Sequence, residues 1–314
     1  MAKTAKTKAK QKKLCTKEMH QRHEAVGLSG RKGELDMGKV EQIVRHALVE
    51  DIGRGDITSQ LTIDERKDVH AIVLAKEPCL IAGIPVAERA FHIIDNRLEF
   101  IPMVKDGQTV KNGQIIVKIN GKARSILSAE RVAINMLSML SGIATRTREY
   151  VEHIEPYKAK ITDTRKTIPG LRELQKYAVR VGGGHNHRMG LDEMILIKDN
   201  HIKVTEGYKR LPSVPSGFKI EIEVRDMKEF EHALQFKPDV IMLDNMNLGD
   251  IKKAVDIRNK TSFTGSHHEP TKLEASGGVD FKTVRKVAST GVDIISIGAL
   301  THSVDAADIS LEIL

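Results

Sequence analysis

The sequence predicts an α/β protein with an antiparallel α+β layer first and about six parallel strands alternating with helices after it. From residue 160 onward, short β-rich runs alternate six times with helical patterns. Between residues 69 and 119, apolar runs are separated mainly by glycine-containing turns. Parallel strands joined by helices form right-handed crossovers, so six such units in series predict a closed or nearly closed barrel. The chain lacks GxGxxG, which removes the best sequence support for a dinucleotide-binding fold.

Length and composition are those of a globular chain. The 314 residues are enough for one large domain or two, and 40% of them are hydrophobic. No apolar run approaches the roughly 20 residues that span a bilayer, and the N-terminus lacks the apolar stretch of a signal peptide. Cys15 and Cys79 match no zinc pattern. We therefore expect a soluble, cytoplasmic protein without a membrane partner.

The net charge of +8 is confined to the N-terminus. Residues 1–33 hold ten of the 50 basic side chains and only two of the 42 acidic ones, so the rest of the chain has 40 of each. The low hydrophobicity of this arm predicts disorder. The arm is either a tether that binds nucleic acid or an acidic partner, or simply a solvated extension. The solvated extension is favoured. A neutral body argues against a nucleic-acid-binding protein.

The first half begins with helical spacing of apolar residues over 37–50. The following DIGRGDITS predicts a turn that ends this helix, with Asp56 as a cap or as a contact across an interface. A second helix is expected near 86–95 among the strands. Ser128 is a suitable N-cap for a long helix that Pro156 ends, and Gly142 inside it suggests a kink or a close helix crossing.

The second half contains the six strand–helix units. The predicted strands are KITDT, MILIK, KIEIEV, DVIML, KLEAS and DIISI. The helices that follow them are expected near 171–181, 201–209, 226–236, 247–258 and 280–290, with a final turn after the last strand. In a barrel of this type the active site lies where the strands end.

Polar and charged residues collect at those strand ends. The cationic groups suit carboxylates and phosphates, the acidic ones suit Mg²⁺ or ribose hydroxyls, and glycine-containing turns before helices suit phosphate. The strand-end residues are Arg165, Lys166 and Lys198; Glu223 and Asp244; and Ser276, Gly277, Gly278 and Gly298, and Arg188, before the second strand, is a further fixed positive group. The inferred substrates are a small molecule with several carboxylates and a Mg²⁺-chelated sugar phosphate.

Several of these residues have an alternative explanation. Glu221 and Glu223 share one face of a strand, and at least one of them is expected to face the site. Lys198 follows an apolar run, where a lysine can simply extend its amine to solvent. His185, His187 and His201 lack a further ligand at zinc spacing, so no zinc site is expected.

Nine motifs in one order resemble the quinolinate phosphoribosyltransferase family. They are GDITS, AERVAINMLSMLSGIAT, DTRKT, PGLR, GGGHNHR, a segment ending in LIKDNH, LDNM, LEASGG and IGALTHS. The resemblance covers roughly 36–314. It implies an N-terminal α/β sandwich over 36–140, an open, irregular α/β barrel over 141–300 and a C-terminal segment, 301–314, packing back on the sandwich. The basic arm, 1–35, has no counterpart in it.

The resemblance also implies an activity and site roles. The family converts quinolinate and phosphoribosyl pyrophosphate to nicotinate mononucleotide, pyrophosphate and CO₂ in NAD biosynthesis, and works as a dimer or larger assembly, here a homodimer or hexamer. By motif, Arg165, His187, Arg188 and Lys198 resemble the quinolinate side of the site, and Arg131 the arginine that crosses into the neighbouring subunit. Lys166, Glu223 and Asp244 resemble the phosphoribosyl and Mg²⁺ side, with Lys166, Lys198, Glu223 and Asp244 as the catalytic set. Ser276, Gly277, Gly298 and His302 resemble phosphate binders.

Two alternatives stay open at this point. One is a related barrel that acts on another acceptor, such as a paralogue associated with molybdenum transport. The complete set of Arg131, Arg165, Arg188 and Lys198 argues against it. The other is a protein associated with nucleic acid through its basic arm, against which the neutral body argues.

Overall fold

The computed structural model of the protein describes residues 35–204, 217–260 and 270–314. Residues Met37–Leu314 form one compact unit. The basic arm predicted for 1–35 lies outside the described residues except for its last position. The end of the helix predicted near 201–209 also lies outside them.

The N-terminal half is built on a four-stranded antiparallel sheet with the order β12-β1-β5-β3. A separate two-stranded sheet pairs β2 with β4. The strands are β1 (Asp68–Ala75), β2 (Cys79–Leu80), β3 (Glu99–Pro102), β4 (Thr109–Val110), β5 (Ile115–Lys122) and β12 (Ile309–Ile313). Because Leu311 lies opposite Val73, the end of the chain belongs to this N-terminal sheet. The mixed layer expected from the alternating apolar runs is therefore present.

The helices of this half are α1 (Met37–Ile52), α2 (Ile57–Thr62), α3 (Ile84–Ile94) and α4 (Ala123–His153). Val40, Val44 and Leu48 of α1 are buried, as its apolar spacing predicted. Asp56 does not end α1. Its carboxylate accepts a hydrogen bond from the Ser59 backbone N–H and so caps α2, a helix that the turn-like sequence did not predict.

Helix α4 begins five residues before the predicted cap. Ser128 therefore lies inside the helix, and its hydroxyl donates to Asp56 Oδ2 at 3.2 Å. Gly142 marks a close crossing, but with an irregular segment rather than a helix, since a Cβ there would lie 2.0 Å from the Asp305 carbonyl oxygen. Among the described residues, α4 is long and apolar enough to span a membrane, but 56% of its most apolar window is buried in the protein, as in a core helix.

The C-terminal half is a six-stranded parallel sheet with the order β6-β11-β10-β9-β8-β7. Its strands are β6 (Lys160–Thr162), β7 (Ile195–Ile197), β8 (Ile220–Val224), β9 (Val240–Asp244), β10 (Lys272–Ser276) and β11 (Ile294–Ser296). Its helices are α5 (Arg172–Val181), α6 (Asp199–Val204), α7 (Met227–Leu234), α8 (Leu248–Lys260), α9 (Val284–Ala288) and α10 (Ala299–His302).

All six predicted strand–helix units are present in the described residues. Strands β6 and β7 are the edges of the sheet, so it is open between them, in agreement with the resemblance and not with a closed barrel. An isolated parallel bridge joins Thr162, at the end of β6, to His185. This bridge brings the segment after α5 against the end of the first strand, where much of the predicted chemistry lies.

Candidate active site

A cavity of about 540 Å³ lies at the carboxyl ends of the parallel strands. Nine of the twelve residues predicted for substrate binding line it. The lining consists of Thr164, Arg165, Lys166, His187, Arg188, Leu196, Lys198, Glu223, Met242, Asp244, Asn245, Glu274, Ser276, Gly277 and Gly278. Because parallel strands end at the same edge of a sheet, residues far apart in sequence converge here.

One side of the cavity carries two arginines that form no ion pair with an acidic side chain among residues 35–204, 217–260 and 270–314. The Nε atoms of Arg165 and Arg188 are buried and have no hydrogen-bond partner among the described residues. The Arg188 Nη1 donates to the Met194 carbonyl at 2.8 Å, which orients the guanidinium. Burial, and then the nearby charge of Arg165, lower the pKa of Arg188, although a guanidinium stays protonated. Two adjacent cations with free donors form a site for a carboxylate-bearing anion.

The opposite side combines acidic and basic groups. Lys198 donates to Glu223 Oε2 at 2.5 Å, and the Glu223 side chain is 7% exposed. The Asp244 carboxylate, at the end of β9, has no hydrogen bond or ion pair with another described residue. Lys198 therefore lines the cavity and is paired there with Glu223, although 43% of its side chain is exposed. Carboxylate oxygens at this position are suitable ligands for a hard cation.

The turn after β10 closes the base of the cavity. Ser276 lies opposite Asp244 in the sheet register, and its carbonyl accepts from the Asn245 backbone N–H at 2.8 Å. Gly277 has φ +87°, and a Cβ on it would lie 2.4 Å from Asn245 Oδ1. Only glycine combines this backbone conformation with so close a neighbour. The turn is thus kept free of a side chain where an anion could approach the backbone.

Gly298 and His302 lie beside the cavity and do not line it. A Cβ on Gly298 would be 3.1 Å from both the His302 ring and Lys166 Cδ. The Thr301 hydroxyl donates to the Lys166 carbonyl at 2.8 Å, which fastens the start of α10 to the segment after β6. These predicted phosphate binders are therefore grouped with Lys166, at the rim.

Arg131 is the predicted site residue that this chain does not bring to the cavity. It projects from α4 with 63% of its side chain exposed, and its nearest recorded charge is Glu130 at 3.7 Å. An exposed arginine on a helix surface is available to another subunit, whereas Arg165 and Arg188 face the cavity of their own chain.

His187 points into a buried polar cluster beneath the cavity. Its Nδ1 accepts from the Arg188 backbone N–H at 2.8 Å, so its proton is placed on Nε2, which lies 3.1 Å from Glu221 Oε2 and 3.8 Å from Glu274 Oε1. The three groups lie within 4.8 Å of one another, close enough to hold a cation. Sequence spacing does not reveal this cluster, because Glu221 and Glu274 come from strands distant in sequence from His187.

Burial raises the pKa of both carboxyls in this cluster to about 8, against an ordinary value of 4.5. In Glu274 the nearby Glu221 charge adds to the effect, and the Ser296 hydroxyl, 2.6 Å away, opposes it. Both carboxyls are therefore largely protonated at neutral pH. Kept neutral, they do not cancel the positive charge of the arginines above them.

We expect Glu274→Gln to flatten the pH dependence of stability. An acid whose pKa is raised by folding stabilises the fold fully below about pH 4.5, and this contribution is lost as the pH rises toward 8. The neutral amide cannot ionise, so between pH 5.5 and 8 the variant should gain on the order of 1–3 kcal/mol of unfolding free energy relative to the parent. Urea unfolding at both pH values measures this. Glu231→Gln, at an exposed position, is the control. Identical pH profiles for Glu274→Gln and the parent would contradict the expectation.

Three cavity residues were missed from the sequence: Leu196, Met242 and Glu274. Each lies two residues before a strand-end residue that was identified, namely Lys198, Asp244 and Ser276. Side chains two apart on a strand share a face. Residues two positions before each strand end could therefore have been predicted to line the cavity. The prediction considered the charged strand ends and not these positions.

Comparison with known proteins identifies the family to which this fold and cavity belong. The family model for the quinolinate phosphoribosyl transferase C-terminal domain matches residues 143–312, and that for the N-terminal domain matches residues 56–141. The chain belongs to the quinolinate phosphoribosyl transferase family. Between them, the two models include the whole of the parallel sheet and most of the antiparallel one. The domain limits at 140 and 300 stay predictions.

Individual members of the quinolinate phosphoribosyl transferase family align over most of the chain. A probable nicotinate-nucleotide pyrophosphorylase (carboxylating) of Bacillus subtilis is 39% identical over 88% of this chain and 93% of its own. A quinolinate phosphoribosyltransferase (decarboxylating) of Nicotiana glauca, named as mitochondrial, is 43% identical over 87% and 82%. The solved nicotinate-nucleotide pyrophosphorylase of Francisella tularensis is 38% identical, covers 91% of this chain and 99% of its own, and superimposes with a TM-score of 0.82.

Proposed function

We propose that this protein is a quinolinate phosphoribosyltransferase. It converts quinolinate and phosphoribosyl pyrophosphate to nicotinate mononucleotide, pyrophosphate and CO₂ in NAD biosynthesis. The observation that carries the proposal is a single cavity with unpaired arginines on one side and carboxylates beside a glycine turn on the other. Such a cavity accommodates a dicarboxylate and a metal-chelated sugar phosphate together. Membership of the family supplies the identity of both substrates.

The quinolinate side is formed by Arg165 and Arg188. Each guanidinium can hold one carboxylate through two parallel hydrogen bonds. Their separation is limited by the segments that carry them, the end of β6 and the chain from His185 to Met189. The His187 nitrogens are turned toward the protein, so this residue contributes shape and support for Arg188 more than a direct hydrogen bond.

The phosphoribosyl side is formed by Lys166, Lys198, Glu223 and Asp244, with the turn at Ser276 and Gly277. The residues fit Mg²⁺, because the Asp244 carboxylate has no partner in the described chain and Glu223 has one oxygen hydrogen-bonded only to Lys198. Asp244 and Glu223 would hold the ion, with Gly298 and His302 near the phosphates at the rim. An ion held there with the sugar phosphate would supply positive charge for the departing pyrophosphate.

The residues assist two successive bond changes. The pyridine nitrogen attacks the anomeric carbon as its bond to pyrophosphate breaks, and Glu223 or Asp244 offsets the positive charge on the ribose while Lys166 and Lys198 offset the charge on the leaving group. The nitrogen is then cationic. The bond to the adjacent carboxylate breaks, CO₂ departs, the electron pair stays on the ring carbon, and that carbon takes up a proton. No change of oxidation state in the protein is involved.

We further propose a homodimer or a hexamer, in which Arg131 of one subunit completes the cavity of the next. Its exposure and its absence from the lining of its own chain's cavity support this arrangement. The cytoplasmic location expected from composition remains a prediction, because one plant relative is named as mitochondrial.

The proposed activity is tested with purified protein, quinolinate labelled at the carboxylate next to nitrogen, phosphoribosyl pyrophosphate and Mg²⁺. We expect labelled CO₂ and nicotinate mononucleotide in equal amounts, and no product when nicotinate replaces quinolinate. Omission of Mg²⁺ should abolish turnover. Turnover with nicotinate but not with quinolinate would overturn the proposal in favour of a relative with another acceptor.

A further inference from the structure

Lys176 is a buried cation that the proposed reaction does not use. It lies in the middle of α5, and both its side chain and that of Asp163 are 0% exposed. Its ammonium has three donors and three acceptors: Asp163 Oδ1 at 2.6 Å, the His187 carbonyl at 2.6 Å and the Arg188 carbonyl at 3.1 Å. Every hydrogen of the ammonium is therefore used.

Both oxygens of the Asp163 carboxylate are likewise hydrogen-bonded. Oδ1 also accepts from the His187 backbone N–H at 2.9 Å, and Oδ2 accepts from the Asn186 amide at 2.5 Å. The same Asn186 amide donates to the Lys176 carbonyl at 2.9 Å. The pair thus joins three parts of the chain: the end of β6, the middle of α5 and the segment 186–188.

These three parts carry both arginines of the quinolinate side. Arg165 follows Asp163 by two residues, and Arg188 is itself one of the residues whose carbonyl binds the ammonium. Asp163 and Lys176 therefore help to set the distance between the two guanidiniums. The Arg172 side chain, which donates to the Met189 carbonyl at 2.9 Å and to the Arg165 carbonyl at 3.5 Å, is a second link between the same segments. Among the described residues, no other side chain hydrogen-bonds to both Asp163 and the Arg188 backbone.

Stability alone does not explain this lysine. Removing two charges from water costs several kcal/mol for each ion, and replacing a buried pair by apolar residues is often neutral or stabilising. What the pair contributes is a fixed geometry, because an ammonium with three fixed acceptors holds the backbone segments around it in one place. A shift of about 1 Å in a substrate-holding group can lower activity about 10²-fold.

We propose that Lys176 is a positioning residue for quinolinate, which fixes the backbone of Arg188 relative to Arg165 through Asp163. This inference rests on the proposed function. It assigns Lys176 no contact with substrate, and it predicts a defect confined to the quinolinate side of the site.

The test uses a neutral pair, Lys176→Met with Asp163→Asn, so that no unpaired charge remains buried. The asparagine Oδ1 still accepts from the His187 N–H, but both carbonyl ties are lost. We expect KM for quinolinate to rise at least about tenfold, while the dissociation constant for Mg²⁺–phosphoribosyl pyrophosphate, measured by calorimetry, changes less than about threefold. The melting temperature should stay within roughly 5 °C of the parent.

Two further variants separate the carbonyl ties from the charge. Asp163→Asn alone leaves Lys176 bonded to both carbonyls but without its buried counter-charge, so the melting temperature should fall while KM for quinolinate of the folded protein stays near the parent value. Lys176→Gln with Asp163→Asn places an amide one bond short of the carbonyls and should behave like the methionine pair, which keeps the test valid if the latter does not fold. The control, Arg258→Met with Asp293→Asn, removes an ion pair of 2.7 Å at the amino ends of β10 and β11 and should leave KM for quinolinate unchanged.

An unchanged quinolinate KM in a folded neutral pair would overturn the inference. So would equal losses in affinity for both substrates, since these indicate a general role in stability. Failure of the proposed function is a distinct result, because it appears in the parent protein as absence of quinolinate turnover. Calorimetric binding of quinolinate to the parent and to the neutral pair tests positioning without turnover.

Discussion

Arg188→Ala should lower kcat/KM for quinolinate by at least about 10²-fold, since leaving a buried charged group without its partner costs roughly 3–5 kcal/mol. In the complex, the unpaired partner is a substrate carboxylate that has left water. Arg165→Ala should have a similar effect, because its Nε is equally without a protein partner. Steady-state kinetics with quinolinate varied at saturating phosphoribosyl pyrophosphate measure both.

The control for these variants is Arg285→Ala. Arg285 lies on α9, outside the cavity, and its recorded contact is a 3.5 Å hydrogen bond to the His153 carbonyl. Its kinetics should match those of the parent. Because the Arg188 guanidinium also donates a hydrogen bond to the Met194 carbonyl, its removal can change stability. Thermal unfolding of each variant is therefore measured together with the kinetics. Near-native kinetics in both cavity variants would show that the carboxylate clamp lies elsewhere.

Mixing two inactive variants, Arg131→Ala and Lys198→Ala, should restore activity. Lys198 lines the cavity of its own chain, whereas Arg131 does not. If Arg131 acts in the neighbouring subunit, a hybrid dimer has one site with both defects and one with neither. Random exchange then restores about a quarter of the parent activity. Activity is assayed after mild dissociation and reassembly of the mixture.

Subunit exchange has to be shown independently, for example with differently tagged chains recovered together. Mixing Lys198→Ala with Asp244→Asn is the matched control. Both of these residues line the cavity of their own chain, so no hybrid site escapes both changes and no recovery is expected. Absence of recovery for the first mixture despite proven exchange would place Arg131 outside the shared site.

The sequence by itself determined the strand–helix units and the chemistry at their ends. Alternation of β-rich and helical runs depends only on local periodicity, and therefore the six parallel strands could be predicted from it. Arg165, Lys198 and Asp244 could be placed near one another because parallel strands end at one edge, whereas Arg188 reaches them through the bridge between Thr162 and His185. The cap at Asp56 was assigned to the wrong helix, since a short polar helix and a turn have the same local composition.

The tertiary structure decided what no local pattern contains. The opening between β6 and β7, the pairing of β12 with β1 and the crossing of Gly142 by Asp305 all join residues distant in sequence. Lys176 illustrates the difference most clearly. On α5 it resembles an ordinary surface lysine between polar neighbours. Only the return of the chain at 186–188 against Asp163 buries it and satisfies its charge, because hydrogen bonds to distant backbone carbonyls exist only once the chain has folded.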